Sequence, residues 1–295
     1  MSLFAAVFDL LLPRLTNRAE NEARQLVRLL DATSLRLNET LCGWARFSAG
    51  YAAAKLHLVY DPEARCPTYF AITPARINDI VEARKMPVEA GATYVFDLGF
   101  YDFGWWAALD QARCRFVTRL KDNTPVTVLA TLPATDPATV SDRRIRLAQR
   151  LSYSRKNPCQ GPLREIVVRR DDGRTMRLLT NDLDAPAADI AALYKTRWQI
   201  ELFFKWVKQN LRIKTFLGTS ENAVRIQIVT ALIAYLIIRI AQIACSSTLT
   251  LQQVARLIRA NLMHQKTLQD LLRMRPKTEA LPQESLKLTL DLAPA

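Results

Sequence analysis

The first strands are predicted by short apolar or alternating runs that end in turn-forming residues. Residues 25–33 are apolar up to an acid, residues 55–60 alternate between polar and apolar positions, and residues 68–73 are rich in aromatic and β-branched side chains. Short connections join the three runs, and the turn-like pair Asp61 and Pro62 follows the second. We therefore expect an antiparallel meander at the start of the fold.

The next segment alternates between predicted helices and strands. Asn78 and Asp79 can cap a helix that extends to residue 85, and residues 93–96 form a short buried strand that ends at Asp97. Asp102 then caps a second helix, and residues 114–120 form another strand. A meander followed by strand, helix and strand predicts an α/β fold with a layered sheet.

The second half of the chain changes character twice. Residues 123–180 contain four short strand-like runs separated by Pro, Asp and Gly, with a hairpin turn at 171–173, and predict an all-β insertion. From residue 187 the pattern is helical. Helices are predicted at 187–210, 221–246, 249–260 and 265–274, and the last twenty residues, which contain three prolines, are predicted to be a loose tail.

The amino-acid composition limits the kinds of partner and metal site that the chain can have. The 295 residues carry a net charge of +13 with a pI near 9.8, which favours a polyanionic partner such as nucleic acid. The five cysteines are dispersed without a CxxC pair, and there are two histidines, so a zinc site or a His-based triad lacks ligands. A bound metal would have to sit on oxygen ligands, which points to Mg²⁺ or Mn²⁺.

The apolar segments are interpreted as parts of a cytoplasmic protein without a membrane span. The first fifteen residues have no basic region before the apolar stretch and no small-residue cleavage site after it, unlike a signal peptide. The longest apolar run, residues 226–238, contains Gln227 and is shorter than a bilayer requires. It is predicted to be a buried core helix.

The segment from Tyr194 to Lys208 carries the most specific pattern. At 100° per residue, one acid and four other polar side chains fall within about 80° of one another, beside an apolar stripe; they are Tyr194, Arg197, Glu201, Lys205 and Lys208. A solvated basic face with pairs such as Glu201 and Lys205 would also explain the row. A single acid among cations and a phenol fits better with a metal ligand beside phosphate-binding side chains.

The order Tyr, two residues, Arg, three residues, Glu, six residues, Lys resembles the signature of DDE transposases of the insertion-sequence-four group. Tyr194, Arg197, Glu201 and Lys208 match it, inside RWxIE and FFKWxKQNL contexts that are also similar. The resemblance implies an RNase H-like core, similar to that of retroviral integrases, with a β-rich insertion before the last acid and a helical C-terminal region. It also implies two divalent ions, Mg²⁺ or Mn²⁺, held by three acids.

The other two acids are identified by context. Asp31 in LLDATSLRL and Asp97 in YVFDLGFYDF resemble the first and second acids of that group. Asp9 and Asp61 remain competitors for the first role, and Asp102 for the second. The 104 residues between Asp97 and Glu201 leave room for the insertion.

The remaining candidates are predicted DNA contacts or structural residues. Arg197, Lys205 and Lys208 would clamp phosphates and Tyr194 would position the strand, while Arg119 and Lys121 form a weaker candidate pair. Lys55 and His57 match a family strand and are interpreted as structural. The expected partner is double-stranded DNA, at transposon ends and target, bound by a homodimer near the nucleoid.

The predicted organisation follows from these assignments. Residues 1–123 and 182–246 would form the core, 124–181 the insertion and 247–295 a helical region and tail. The expected activity is metal-dependent cleavage at element ends followed by strand transfer, in some group members through a DNA hairpin. Leu98 replaces a usual cation, and thirty residues precede Asp31. An inactive or truncated DNA-binding remnant that inhibits an intact transposase, or a nuclease of the same fold, is therefore an alternative.

Overall fold

The fold is seen in a computed structural model of the chain. It describes residues 2–16, 26–38, 42–48, 51–134, 136–148, 156–211, 213 and 216–261. The predicted helix at 265–274, the C-terminal tail and His264 lie outside these ranges. The strands are β1 (Val27–Leu37), β2 (Arg46–Ser48), β3 (Tyr51–Asp61), β4 (Cys66–Pro74), β5 (Thr93–Val95), β6 (Arg115–Arg119), β7 (Val126–Leu132), β8 (Thr139–Leu147), β9 (Leu163–Arg169) and β10 (Thr175–Thr180).

The helices alternate with strands in the first half and follow one another in the second. They are α1 (Ser2–Leu11), α2 (Pro13–Thr16), α3 (Asp79–Ala83), α4 (Phe103–Gln111), α5 (Ala187–Thr196), α6 (Trp198–Asn210), α7 (Glu221–Ala244) and α8 (Leu251–Asn261). Short 3₁₀ turns cover Gly43–Ala45 and Leu98–Phe100. The helix caps predicted at Asn78 and Asp102 are confirmed, because their side chains accept hydrogen bonds from the backbone N–H groups of Ile80 (3.3 Å) and Trp105 (2.8 Å).

The strands within the described ranges form one ten-stranded mixed sheet in the order β2-β3-β1-β5-β6-β10-β9-β8-β7, with β4 paired to β3. The predicted antiparallel meander is confirmed, since β1 pairs with β3 and β3 with β4 in antiparallel register. In contrast, β5 pairs in parallel with both β1 and β6. The mixed α/β architecture with a layered sheet therefore agrees with the sequence pattern.

The strand-rich middle segment continues this sheet. Strand β10 pairs with β6 in antiparallel register, and β9, β8 and β7 follow outward from it. The hairpin turn predicted at 171–173 lies between β9 and β10, where Gly173 adopts a φ of +78° that favours glycine.

The predicted single helix over 187–210 is wrong in one respect. The structure has two helices, α5 and α6, which meet at Arg197. Because of this break, Tyr194 belongs to α5 and is buried at 8% exposure instead of lying on a solvated face with Glu201. The apolar stripe predicted beside the polar row contains Ile200, Phe204 and Val207, and these three residues are buried as expected.

An aromatic cluster packs between α4 and the strands β5 and β6. Trp106 stacks on Phe116, and Trp105 packs on Phe96 with ring centroids 4.7 Å apart. The indole N–H of Trp106 donates to the carbonyl of Phe100, so its polar end is also paired. This packing surrounds Phe116 of β6 and Phe96, which follows β5 and directly precedes the turn at Asp97.

Helix α7 contains the long apolar run. By length and composition it is, among the described residues, the one helix that could also cross a membrane. Its buried residues Val224, Ile228, Leu232 and Leu236 recur at four-residue spacing, and Tyr235 donates a hydrogen bond to the Arg65 carbonyl. This one-sided burial is typical of a helix packed in a protein core.

A second compact unit begins at Ala241. Within it, the Gln242 side chain donates to the Leu249 carbonyl at 2.7 Å. The Gln253 carboxamide accepts from the backbone N–H of Thr250 at 2.8 Å, which stabilises the start of α8.

Candidate active site

Asp31 and Asp97 occupy equivalent positions on neighbouring parallel strands. Leu29 of β1 pairs with Val95 of β5, and each acid lies two residues beyond its member of that pair. The two acids are therefore side by side in register, with Asp31 inside β1 and Asp97 just after the end of β5. Asp31 and Asp97 are 66 positions apart in the sequence, as are the paired residues Leu29 and Val95, so the two acids are in register.

The backbone after β5 turns sharply around the Asp97 side chain. Asp97 caps the 3₁₀ turn Leu98–Phe100, and its Oδ1 accepts a hydrogen bond from the Gly99 N–H at 2.8 Å. A Cβ on residue 99 would lie 3.0 Å from the same oxygen, so a larger residue there would push the Asp97 carboxylate by a few tenths of an ångström. Asp97 is therefore held by its own turn, with its second carboxylate oxygen outside this hydrogen bond.

Arg197 brings Glu201 towards the strand acids. Its Nη2 lies 2.6 Å from Glu201 Oε1, and its Nη1 lies 3.6 Å from Asp31 Oδ2. Among the described residues, the i,i+4 ion-pair partner of Glu201 is thus Arg197. Asp31 and Glu201 therefore contact one cation between them.

The electrostatics of Asp31 confirm that the acids are close to one another. Burial raises the pKa of the Asp31 carboxyl most, and the charges of Asp97 and Glu201 raise it further. The Ala32 N–H and Arg197 act in the opposite direction, and the pKa stands at about 7. The ionised form of the Asp31 carboxyl is therefore disfavoured unless a further cation lies beside it.

This donor set fits a divalent ion chemically, although the acids do not form a ready-made cage. Within the described ranges, no three His, Cys, Asp or Glu side chains lie close enough to hold a metal ion as they stand. Asp31 and Glu201 instead bind Arg197. Carboxylate oxygens are the ligands that Mg²⁺ and Mn²⁺ prefer, and the mutual repulsion at Asp31 is of the kind that such an ion relieves.

Lys208 joins α6 to β1 beside Asp31. Its Nζ donates to Thr33 Oγ1 at 2.6 Å and to the Ser34 carbonyl at 3.1 Å. Lys208 lines a cavity of about 330 Å³ together with Asp31, Glu201 and the exposed Lys205. The structure therefore brings together four of the sequence-predicted site residues on one side of α6.

Tyr194 and Arg119 lie in a second, larger cavity of about 700 Å³, which Arg197 also lines. The Arg197 guanidinium stands 5.9 Å from the centre of the Tyr194 ring. The buried Nε atoms of Arg119 and Arg197 have no hydrogen-bond partner among the described residues. Lys121 points elsewhere, with its Nζ 4.4 Å from the centre of the Tyr101 ring, so the two members of the predicted basic pair are separated.

Sequence reasoning missed Asp79. Its Oδ1 lies 2.8 Å from Lys55 Nζ, and its Oδ2 lies 3.4 Å from the position of a Cβ on Gly99. The sequence offered Asp79 only as a helix cap, a role that Asn78 takes in the structure. Its proximity to the Asp97 turn depends on tertiary packing that no local pattern contains.

Known proteins resemble this chain over most of its length. Residues 22–237 match the family model described as a transposase DDE domain. A Sinorhizobium fredii protein named as a transposase is 42% identical over 253 residues, covering 82% of this chain and 68% of the relative. A Geobacillus stearothermophilus protein named as a transposase for an insertion sequence element is 31% identical over 216 residues, covering 72% of this chain and 56% of the relative.

One solved structure is also similar in outline. A cryo-EM structure of a piggyBac transposase synaptic complex with hairpin DNA superposes with a TM-score of 0.49 and 11% sequence identity, covering 88% of this chain and 56% of the other. At this level of similarity, the superposition supports no conclusion about chemistry.

Proposed function

This chain belongs to the transposase DDE domain family, and from that premise we propose that it cuts and joins DNA by metal-dependent phosphoryl transfer. Family membership confirms the sequence-based prediction of a transposase. The insertion-sequence-four group remains a prediction. The observations that support the proposed chemistry are the equivalent register positions of Asp31 and Asp97 and the contacts of Arg197 with both Asp31 and Glu201.

The finer description of the fold belongs to this proposal. The parallel strands β1, β5 and β6, with Asp31 inside β1 and Asp97 two residues after β5, support an RNase H-like core. In it, residues 1–123 and 182–246 form the two parts of the core, and 124–181 the insertion. Residues 247–295 would be the helical region and tail of the predicted organisation.

The three acids would hold two divalent ions, Mg²⁺ or Mn²⁺, which supply charge stabilisation for in-line attack at phosphorus. Asp97 is fixed by its turn, whereas Asp31 and Glu201 have to exchange Arg197 for the ions. Arg197 would then be released to bind a phosphate of the DNA strand. The first reaction frees a 3′-OH at the element end, and that hydroxyl attacks the target strand in the second.

The cavities support a path for DNA on both sides of the acids. The orphaned Nε atoms of Arg119 and Arg197 offer donors to phosphate oxygens in the larger cavity, beside Tyr194. Lys205 and Lys208 line the smaller one. The net charge of +13 adds long-range attraction for DNA. Lys121 would contribute a more distant phosphate contact, and a homodimer would act on both element ends in the nucleoid.

The proposal is tested by metal-dependent cleavage of labelled plasmid DNA. We expect Glu201→Gln to abolish cleavage with Mg²⁺ or Mn²⁺ while the affinity for DNA stays close to wild type. Glu221→Gln is the matched control, since Glu221 is also paired with an arginine four residues away. Cleavage that persists in Glu201→Gln overturns the assignment.

Two alternatives give other outcomes in the same system. A protein that binds DNA but does not cleave it in the wild-type form would be the inhibitory remnant. A protein that cleaves but does not join a pre-cut 3′ end to a target plasmid would be a nuclease of the same fold.

A further inference from the structure

A partly buried polar cluster of Lys55, His57 and Asp79 lies beside the turn that follows Asp97. Lys55 and His57 are two residues apart on β3 and therefore project from the same face of the sheet. Lys55 Nζ lies 2.8 Å from Asp79 Oδ1 and also donates to the Ile77 carbonyl at 2.9 Å. These contacts with Asp79 and Ile77 hold the Lys55 ammonium group beside the first residue of α3.

His57 completes the cluster without bonding directly to the acid. Its Nε2 is 2.9 Å from Thr73 Oγ1, while its Nδ1 is 3.7 Å from Asp79 Oδ1, which is too long for a hydrogen bond. Burial is the main cause that lowers the pKa of His57, to about 4. His57 is therefore uncharged near pH 7, and Lys55 is the cation that balances Asp79 within the described part of the chain.

The second oxygen of Asp79 faces the Asp97 turn. Asp79 Oδ2 lies 3.4 Å, and Asp97 Oδ1 3.0 Å, from the point where a Cβ on Gly99 would stand. The two carboxylates thus approach each other across Gly99. Lys55 contacts the other oxygen of Asp79, so the oxygen beside Gly99 lies outside this ion pair.

We propose that Asp79 is a positioning residue of the centre formed by Asp31, Asp97 and Glu201, and that the Lys55–Asp79 ion pair sets the affinity of this centre for divalent cations. This inference rests on the proposed function. The Asp79 charge strengthens the negative field at Asp97 and keeps the Gly99 turn in place. Groups that orient a metal ligand in this way commonly change metal affinity when they are altered.

The direction in which each variant changes the affinity for a divalent cation distinguishes this role from a purely structural one. Asp79→Asn removes a negative charge and leaves Lys55 uncompensated, so the centre becomes less attractive to a cation. Lys55→Gln has the opposite consequence, because Asp79 is then left uncompensated. A merely structural pair would make both variants weaker in metal binding, or leave binding unchanged.

The experiment measures Mn²⁺ binding to the full chain without DNA, from the electron paramagnetic resonance signal of the free ion, and the Mg²⁺ dependence of DNA cleavage. We expect Asp79→Asn to weaken both by about 10-fold, and Lys55→Gln to tighten Mn²⁺ binding. Glu221→Gln removes a charge from a more exposed residue that is paired with Arg225, and should stay within about 2-fold of wild type.

Asp97→Asn identifies which proposal fails. The role of Asp79 is overturned, and the proposed function stands, if Asp97→Asn weakens Mn²⁺ binding and Asp79→Asn does not. The same conclusion follows if Asp79→Asn and Lys55→Gln shift Mn²⁺ binding in the same direction. If Asp97→Asn also binds Mn²⁺ like wild type, the metal centre itself is wrong. Circular dichroism checks that each variant is folded, and Lys55→Gln still tests the proposal should Asp79→Asn not fold.

Discussion

Arg197 and Glu201 form a side-chain ion pair one helical turn apart, with 2.6 Å between Nη2 and Oε1. The same guanidinium reaches Asp31 at 3.6 Å, so one cation contacts two acids on different elements. Burial alone would lower the pKa of Arg197, but Tyr194, Glu201 and Asp31 together raise it. The arginine therefore stays charged and competes for the acids with any divalent ion.

This competition predicts a split phenotype for Arg197→Gln. Without the guanidinium, Asp31 and Glu201 lose their cation, so Mn²⁺ binding without DNA should become tighter. DNA cleavage at saturating Mg²⁺ should nevertheless fall by about 100-fold, because the variant lacks a phosphate-binding group near the reacting bond. Free Mn²⁺ measurements and single-turnover cleavage rates check the two halves.

Arg225→Gln is the matched control, because Arg225 forms an i,i+4 pair with Glu221 at the same 2.6 Å. It should leave both measurements unchanged. Weaker Mn²⁺ binding in Arg197→Gln would show that the arginine organises the acids instead of competing for them.

The turn at Gly99 gives a second prediction. In Gly99→Ala the new methyl group would stand 3.0 Å from Asp97 Oδ1 and 3.4 Å from Asp79 Oδ2, so one of the carboxylates must move. We expect the Mg²⁺ concentration required for half-maximal cleavage to rise by about 10-fold. Gly161→Ala is the control, since a methyl group there meets no atom within 4 Å. Equal Mg²⁺ requirements for the two variants would contradict the close packing around Asp97.

Asp31 and Asp97 could be selected as candidates from the sequence because each lies at the end of a local apolar pattern. Asp31 and Asp97 follow apolar runs that form β1 and β5, and their equivalent positions follow once those strands are parallel neighbours. The break at Arg197 was not predictable in the same way. The helical pattern continues through residue 197 without a Pro or Gly, so the sequence contains no signal for the break between α5 and α6.

The strand order and the Lys55–Asp79 pair illustrate the same limit. Four strand-like runs after residue 123 predict strands but not which neighbour each will bind, and β10 pairs with β6 through a contact far apart in sequence. Likewise, Lys55 on a strand and Asp79 at a helix start each have ordinary local explanations. Their meeting is a property of the folded chain.

The buried acid in β9 provides a prediction about stability. Glu165 is fully buried and lies 2.6 Å from Arg143 Nη2 and 2.5 Å from Arg177 Nε. Glu165→Gln keeps the shape but removes the charge that two arginines share, and should lower the free energy of unfolding by about 3 kcal/mol. Urea unfolding measures this change. Asp172→Asn breaks the exposed pair with Arg170 and should cost less than about 1 kcal/mol; similar losses would mean that the Glu165 charge is dispensable.

The neutral state of His57 gives a prediction about pH. Its pKa is lowered from 6.5 to about 4, chiefly by burial, so the unfolded chain binds a proton at this residue at higher pH than the folded chain does. The stability that depends on neutral His57 is therefore fully present above pH 6.5 and is lost as the pH falls towards 4. Between pH 7 and pH 5, the wild type should lose about 2 kcal/mol more unfolding free energy than His57→Gln, measured by urea unfolding at both pH values. Parallel losses in the two proteins would mean that His57 is protonated in the folded state at pH 5, and that Lys55 is not the sole cation facing Asp79 within the described ranges.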